Sequence, residues 1–318
     1  MIGTNYQSRK KGVAYAIAVA ALAASAGGAT AKTVCYVNAA DSHAYATPAN
    51  EALQARATEL GLEILSLSQD FDVQKGTEQL NTCIARGVDG IILWPLDPQA
   101  YIPGLAKAQQ ANIPAIIINS PMGDEAKPYI VSFTGPDVYQ EGQMAADALH
   151  TAMKGEGSVV VIAGQAGNGT TIGRVGGFVD QLAKIGSKIT VLDTVNADFD
   201  QQKALVQSRD LITRFGDKIQ GVYSNDDTMA RGFIDAWKEA YPGKPTPPIV
   251  GVNGQKDAFD SIRTKEMYAT IVQSPVEDGK LAIDTMAKIL NGETVDARLP
   301  IPLTVVTSAN VDSVEPAF

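Results

Sequence analysis

Histidine and cysteine are nearly missing from these 318 residues, with two of each: His43, His150, Cys35 and Cys83. The two histidines stand far apart and no Cys-x-x-Cys or His-x-x-x-His spacing occurs, which leaves a metal site without ligands. His150 reads as a surface or packing residue of a helix. Gly-x-Ser-x-Gly elbows and P-loops are also absent, so neither a hydrolase nucleophile nor a nucleotide phosphate cradle is visible. Positive charge is the minority: 26 Lys and Arg face 35 Asp and Glu, a net charge of −9. An acidic surface disfavours nucleic acid and anionic membranes as partners. Past the first 31 residues, no apolar run is long enough to cross a bilayer.

Those first residues read as a secretory signal peptide. Arg9, Lys10 and Lys11 form a basic start, residues 12–24 are apolar but short, and Ala29-Thr30-Ala31 supplies a small-x-small cleavage site. Cleavage after Ala31 releases the product outside the inner membrane. It also removes three basic residues and no acid, leaving 23 basic against 35 acidic side chains. In an oxidising compartment an even cysteine count suggests a Cys35–Cys83 disulfide, the alternative being two buried thiols.

Beyond residue 31, apolar runs and helical patterns alternate. Strands are expected at 33–38, 62–67, 88–94, 114–119, 129–133, 158–163, 188–195, 219–224, 249–252, 268–273 and 303–306. Helices are expected at 48–60, 73–85, 101–110, 137–153, 171–185, 201–215, 228–240, 258–264 and 275–290. Such alternation predicts an α/β fold with parallel sheets. The strand number favours two doubly wound domains over one open sheet, and fits less well with a barrel of eight βα units.

The stretch from 158 to 178 (SVVVIAGQAGNGTTIGRVGGF) runs from strand through a Gly-rich turn into a helix. Two readings compete there. Gly167, Gly169 and Gly173, with Asp193 downstream, form a variant dinucleotide fingerprint; but Asp193 falls inside its apolar run, where it would not reach a ribose. The other reading has the loop delivering Arg174 to a cleft. Polar side chains at the other strand ends favour the cleft, because doubly wound sheets bind ligands at their strands' C-terminal ends. Asn119, Ser120, Asn225, Asn253 and Gln273 lie at such ends, as does the loop carrying Asp41, Ser42, His43 and Tyr45. Amides pair with hydroxyls bidentately, and aromatics such as Tyr45 and Phe199 cover the C–H face of a ring. Asp226 and Asp227 read as helix N-cap and first-turn acid.

The segments RGVDGIILWPLD (86–97), ANIPAIIIN (111–119), ADFD (197–200), SNDDTMARG (224–232) and ATIVQSP (269–275) give the chain a family likeness. It resembles the periplasmic sugar-binding proteins of the ribose/galactose type, solute-binding subunits of ABC importers. The resemblance covers essentially everything after residue 31. It implies a type I periplasmic binding protein fold, two doubly wound parallel-sheet domains joined by a three-segment hinge with crossings near 133–135, 273–275 and 303–307. One domain would comprise 32–134 plus 275–304, the other 135–274 plus 305–318. It further implies that Arg174 is the ligand arginine, Phe199 the stacking aromatic, Asn225 the strand-end asparagine and Gln273 the hinge-side glutamine. The N-terminal contact loop maps onto Ser42, His43 and Tyr45.

Asn119-Ser120 stand where ribose binders carry Asp-Arg, and Asn253 stands where they carry an aspartate. These departures point away from ribose itself, toward another sugar or a polyol. The implied partners are a small sugar or polyol, an importer permease and a chemoreceptor, with the protein a monomer that needs no cofactor and performs no catalysis. An exported α/β enzyme acting on a sugar is the alternative; it would draw on Asp226 or Asp41. A sugar-responsive repressor of the same fold lacks support, since a signal peptide stands where a basic helix-turn-helix would be.

Overall fold

In the computed structural model, residues 1–5 and 31–318 are described. The basic start, the apolar stretch and most of the cleavage site expected at the N-terminus lie outside them. From residue 31 the chain forms one compact unit, built from two six-stranded sheets.

The first sheet contains β1 (Thr33–Asn38), β2 (Glu63–Ser68), β3 (Gly90–Leu93), β4 (Ala115–Ile118), β5 (Ser132–Gly135) and β11 (Arg298–Pro300). The second contains β6 (Glu156–Ala163), β7 (Lys188–Asn196), β8 (Gly221–Ser224), β9 (Ile249–Asn253), β10 (Ala269–Val272) and β12 (Thr304–Thr307). Their strand orders are 2-1-3-4-5-11 and 7-6-8-9-10-12, one doubly wound order used twice. All pairs are parallel except β12, which runs antiparallel to β10. The chain reaches β12 straight from β11 on the neighbouring sheet, with no helix between to turn it round.

Burial on both faces explains why these strands read as unbroken apolar runs. Successive side chains point to opposite faces. Val34, Tyr36, Ile92 and Ile116 therefore enter one core with α1 (Ala46–Glu59) and α9 (Pro275–Leu290). Cys35, Val37, Ile91 and Ile117 enter the other, with α2 (Val73–Ala85) and α3 (Ile102–Gln110). The second sheet repeats the plan. Val159 and Val161 pack on α4 (Val138–Ala152) and α5 (Gly169–Lys184). Val160 and Ile162 pack on α6 (Gln201–Phe215), α7 (Asp227–Ala240) and α8 (Lys256–Arg263).

Two helices change domain. Following β5 of the first sheet, α4 packs on the second; following β10 of the second, α9 packs on the first. With the β11–β12 step, the chain crosses three times. Gly135 belongs to the first sheet and Thr304 to the second, each one residue away from the expected boundaries. Cys35 of β1 and Cys83 of α2 are joined by a disulfide with Cα atoms 5.8 Å apart. β11 has no counterpart among the expected strands, because Arg-Leu-Pro on an exposed edge is not an apolar run.

Candidate functional site

Where the strand order reverses in each sheet, the C-terminal strand ends of the two domains face one another across a cavity of about 440 Å³. The loops around it are held by side-chain caps. Asn168 Oδ1 accepts from the Thr170 and Thr171 N–H groups at the start of α5, Asp200 from Lys203 N–H, and Asp226 from Met229 N–H.

The first domain supplies an aromatic wall. Tyr45, just before α1, meets Trp94 edge-on at 5.9 Å and Phe318 at 5.8 Å. His43 meets Phe71 at 5.0 Å. The Tyr45 and Ala46 N–H groups donate to His43 Nδ1 at 3.3 and 3.4 Å, which places the ring proton on Nε2. Burial lowers the imidazole pKa, the Phe199 backbone opposing it, so the ring is neutral at pH 7. Asn119, at the end of β4, donates from Nδ2 to the buried Asp278 at 2.8 Å, and Tyr45 OH donates to the same carboxylate oxygen at 3.2 Å. Burial raises Asp278 to about 7, while those two hydrogen bonds pull it down.

Arg174 dominates the second domain's wall. It is only 3% exposed. Nε donates to Glu141 Oε2 at 2.7 Å and Nη1 to the Asn225 carbonyl at 2.6 Å. The Gln273 amide lies between both charged groups. Since Arg174 only donates and Glu141 accepts, the Gln273 oxygen takes Arg174 Nη2 at 2.6 Å and its nitrogen donates to Glu141 Oε1 at 3.1 Å. Burial disfavours a charged guanidinium, yet the charge and hydrogen bond of Glu141 outweigh it and raise the Arg174 pKa. Phe199 turns into the cleft on left-handed backbone, φ 58°. Its ring occupies the space that a Cβ at Gly164 would fill. Asn253 also leaves its strand with positive φ, 114°.

Seven of the residues singled out from sequence thus line the cavity: His43, Tyr45, Asn119, Arg174, Phe199, Asn253 and Gln273. Three do not. Ser42 is exposed on the outer turn of its loop. Ser120 is buried where the two domains touch, its Oγ near Gly169 rather than on the cavity wall. Asn225 is wholly buried behind Arg174; its Oδ1 accepts from Gly164 N–H, and its main-chain oxygen, not its amide, meets a cleft residue.

The cleft also recruits Asp226, and with it Phe71, Trp94, Leu96, Asn168 and Thr170, which the sequence does not single out. Trp94 and Asp226 obey the same strand-end rule as Asn119. Asp226 caps α7 with one oxygen, as its place before the helix predicts, while Oδ2 has no partner. Its pKa rises to about 6 through burial, opposed by the Met229 N–H and Arg174. The glycines of the dinucleotide reading serve packing: Gly169 abuts the Pro121 carbonyl and Gly173 abuts Val138. Asp193 pairs with Arg214 at 2.7 Å.

The family described as "periplasmic binding protein domain" matches residues 34–294. This chain belongs to the periplasmic binding proteins. Among relatives of this binding protein is the ribose import binding protein RbsB of Escherichia coli (strain K12), 30% identical over 291 residues, spanning 91% of this chain and 95% of the relative. The xylitol-binding protein of Mycolicibacterium smegmatis is 26% identical over 272 residues, spanning 86% and 76%. Among solved structures, an ABC transporter solute-binding protein from Agrobacterium vitis with bound D-fucose superposes with a TM-score of 0.81. It is 26% identical, with 88% of this chain and 97% of that one covered.

Proposed function

We propose that this binding protein captures a small, uncharged, hydroxylated ligand, a sugar or polyol, between its domains and delivers it to the permease of an ABC importer. The observation that carries the reading is the wall itself. The interdomain cavity pairs aromatic faces from Tyr45, Trp94 and Phe199 with amides from Asn119, Asn253 and Gln273. The relatives' ligands (ribose, xylitol, D-fucose) are of this class.

On this reading the domains comprise 32–134 with 275–304 and 135–274 with 305–318, to within a residue at each crossing, and they close about the three crossings. The signal peptide ends at Ala31, the protein acts in the periplasm as a monomer, and a chemoreceptor is a second partner. Ser42 and Ser120 stand off the ligand, and Asn225, whose Nδ2 has no protein partner, backs the wall through Arg174. The exported-enzyme reading would need an acid–base pair in the cleft. Asp41 is exposed and off the cavity wall, which leaves Asp226 without a partner in such chemistry.

A thermal-shift screen of the protein after signal removal tests this, using D-ribose, D-fucose, other pentoses and hexoses, xylitol, inositols, NAD and NADP. A ligand at a hundred times its Kd adds about 2.7 kcal/mol to the folded state. The expected result is one clear upward shift from a sugar or polyol that is recovered unchanged. A shift from the dinucleotides alone would overturn the proposal, as would conversion of the recovered sugar.

A further inference from the structure

Asp278 is a buried carboxyl group without a charged partner among the described residues. It stands in the first turn of α9, wholly buried and off the cavity wall, and none of the described basic side chains pairs with it. Only one carboxylate oxygen is used: Oδ2 takes the Asn119 amide and the Tyr45 hydroxyl, while Oδ1 has no partner. Gly135 packs tightly here: a Cβ on it would stand 2.8 Å from the Asn119 nitrogen and 3.2 Å from Oδ1. A buried, half-satisfied carboxylate costs stability. Both groups it holds are cleft residues.

Resting on the ligand class proposed above, we infer that Asp278 is a positioning residue that fixes the orientation of the Asn119 amide and keeps its Oδ1 acceptor in place. An asparagine amide has a donor end and an acceptor end, and a half-turn of the side chain exchanges them. With one Nδ2 proton held by Asp278, the amide cannot exchange its ends; what Asn119 has left is Oδ1, to which none of the described residues donates, and a single N–H. The Tyr45 proton is committed in the same way, which leaves its oxygen lone pairs. Asn119 thus does the accepting work of a carboxylate without its charge. A ligand that brings a hydroxyl proton to this corner is favoured over one that presents only an ether or carbonyl oxygen there. Asn119, Tyr45 and Asp278 all pack with the first sheet, so the arrangement exists whether or not the cleft is closed.

Side-chain amide NMR and calorimetry on substitution variants test this, with D-ribose, xylitol and D-fucose as probes. Asp278→Asn keeps an acceptor for Asn119; Asp278→Leu removes it. The Asn119 amide protons should exchange slowly in the parent and in Asp278→Asn, and at an ordinary rate in Asp278→Leu. Affinity for the best-bound probe should fall about tenfold or more in Asp278→Leu and stay within about threefold in Asp278→Asn. The double variant Asn119→Asp/Asp278→Leu should regain most of the loss, because a carboxylate accepts in either orientation.

Fast exchange of the Asn119 amide in the parent overturns the inference, even if Asp278→Leu fails to fold. So does a double variant no better than Asp278→Leu. Should no probe bind the parent while the amide behaves as expected, the ligand class falls and the orientation of Asn119 stands.

Discussion

Arg174 looks from sequence like a ligand contact whose removal would spare the fold. In the structure it is also the countercharge of a carboxylate with no exposure at all. Arg174→Ala would strand Glu141 as an unpaired buried charge, so it should destabilise the protein by about 3–5 kcal/mol as well as weaken binding. Urea titration of the unliganded protein measures the first effect. The double change Glu141→Leu/Arg174→Met should recover most of that stability, though not the affinity. An Arg174→Ala protein as stable as the parent would show that the pair carries little. At this scale the sequence was only half legible. The strand-end rule picks a ring of positions, and Asn119, Asn253 and Gln273 came from it. It does not say which way a side chain turns: Asn225 gives its Oδ1 to the Gly164 N–H, and its Nδ2 has no partner among the described residues. It was not extended to Trp94 or Phe71, whose apolar rings resemble core residues.

Elements were more legible than side chains. The bounds of β1, α2, α6 and α9 coincide with the apolar and helical patterns, because each has a cap or breaker at its edge: Asp72 before α2, Asp200 before α6, Ser274-Pro275 at α9. What escaped were the short edge strand β11 and the reversed direction of β12. Edge strands bury little, and direction is decided by where the chain has come from. The Cys35–Cys83 bridge belongs to this scale, since it fastens α2 to the centre of the first sheet across 48 residues. A loop of that length gives about 4 kcal/mol in the chain-entropy picture. Dithiothreitol should therefore lower the urea midpoint of the parent while leaving Cys35→Ala/Cys83→Ala unchanged. A parent insensitive to reductant under unfolding conditions would count against the bridge.

At the scale of the whole molecule, function on the proposed reading is a motion, and the structure shows where the moving parts meet. Asn168 Nδ2 donates to the Leu96 carbonyl at 3.1 Å from one domain to the other. Beside it, Gly169 lies so close to the Pro121 carbonyl that any side chain would collide with it. Gly169→Val should hold the domains apart. Ligand affinity is expected to drop more than about tenfold, because the closed form becomes rare. The melting temperature of the unliganded protein should hardly change. Small-angle scattering gives the direct readout: the parent contracts on adding ligand and the variant does not. Full contraction in Gly169→Val would mean the domains close along another path.

The exchange of helices between the domains also sets a timetable for synthesis. The second domain can assemble almost as soon as residues 138–272 exist, lacking only an edge strand. The first cannot, because α9 covers one face of its sheet and begins at Pro275. Between the emergence of Gly135 and that of Leu290, a ribosome adding 5–20 residues per second needs roughly 10–30 s. Throughout that interval Val34, Tyr36, Ile92 and Ile116 lack the cover of α9. The nascent first half is therefore the sticky intermediate of this chain, the part a chaperone would have to shield until the last helix arrives.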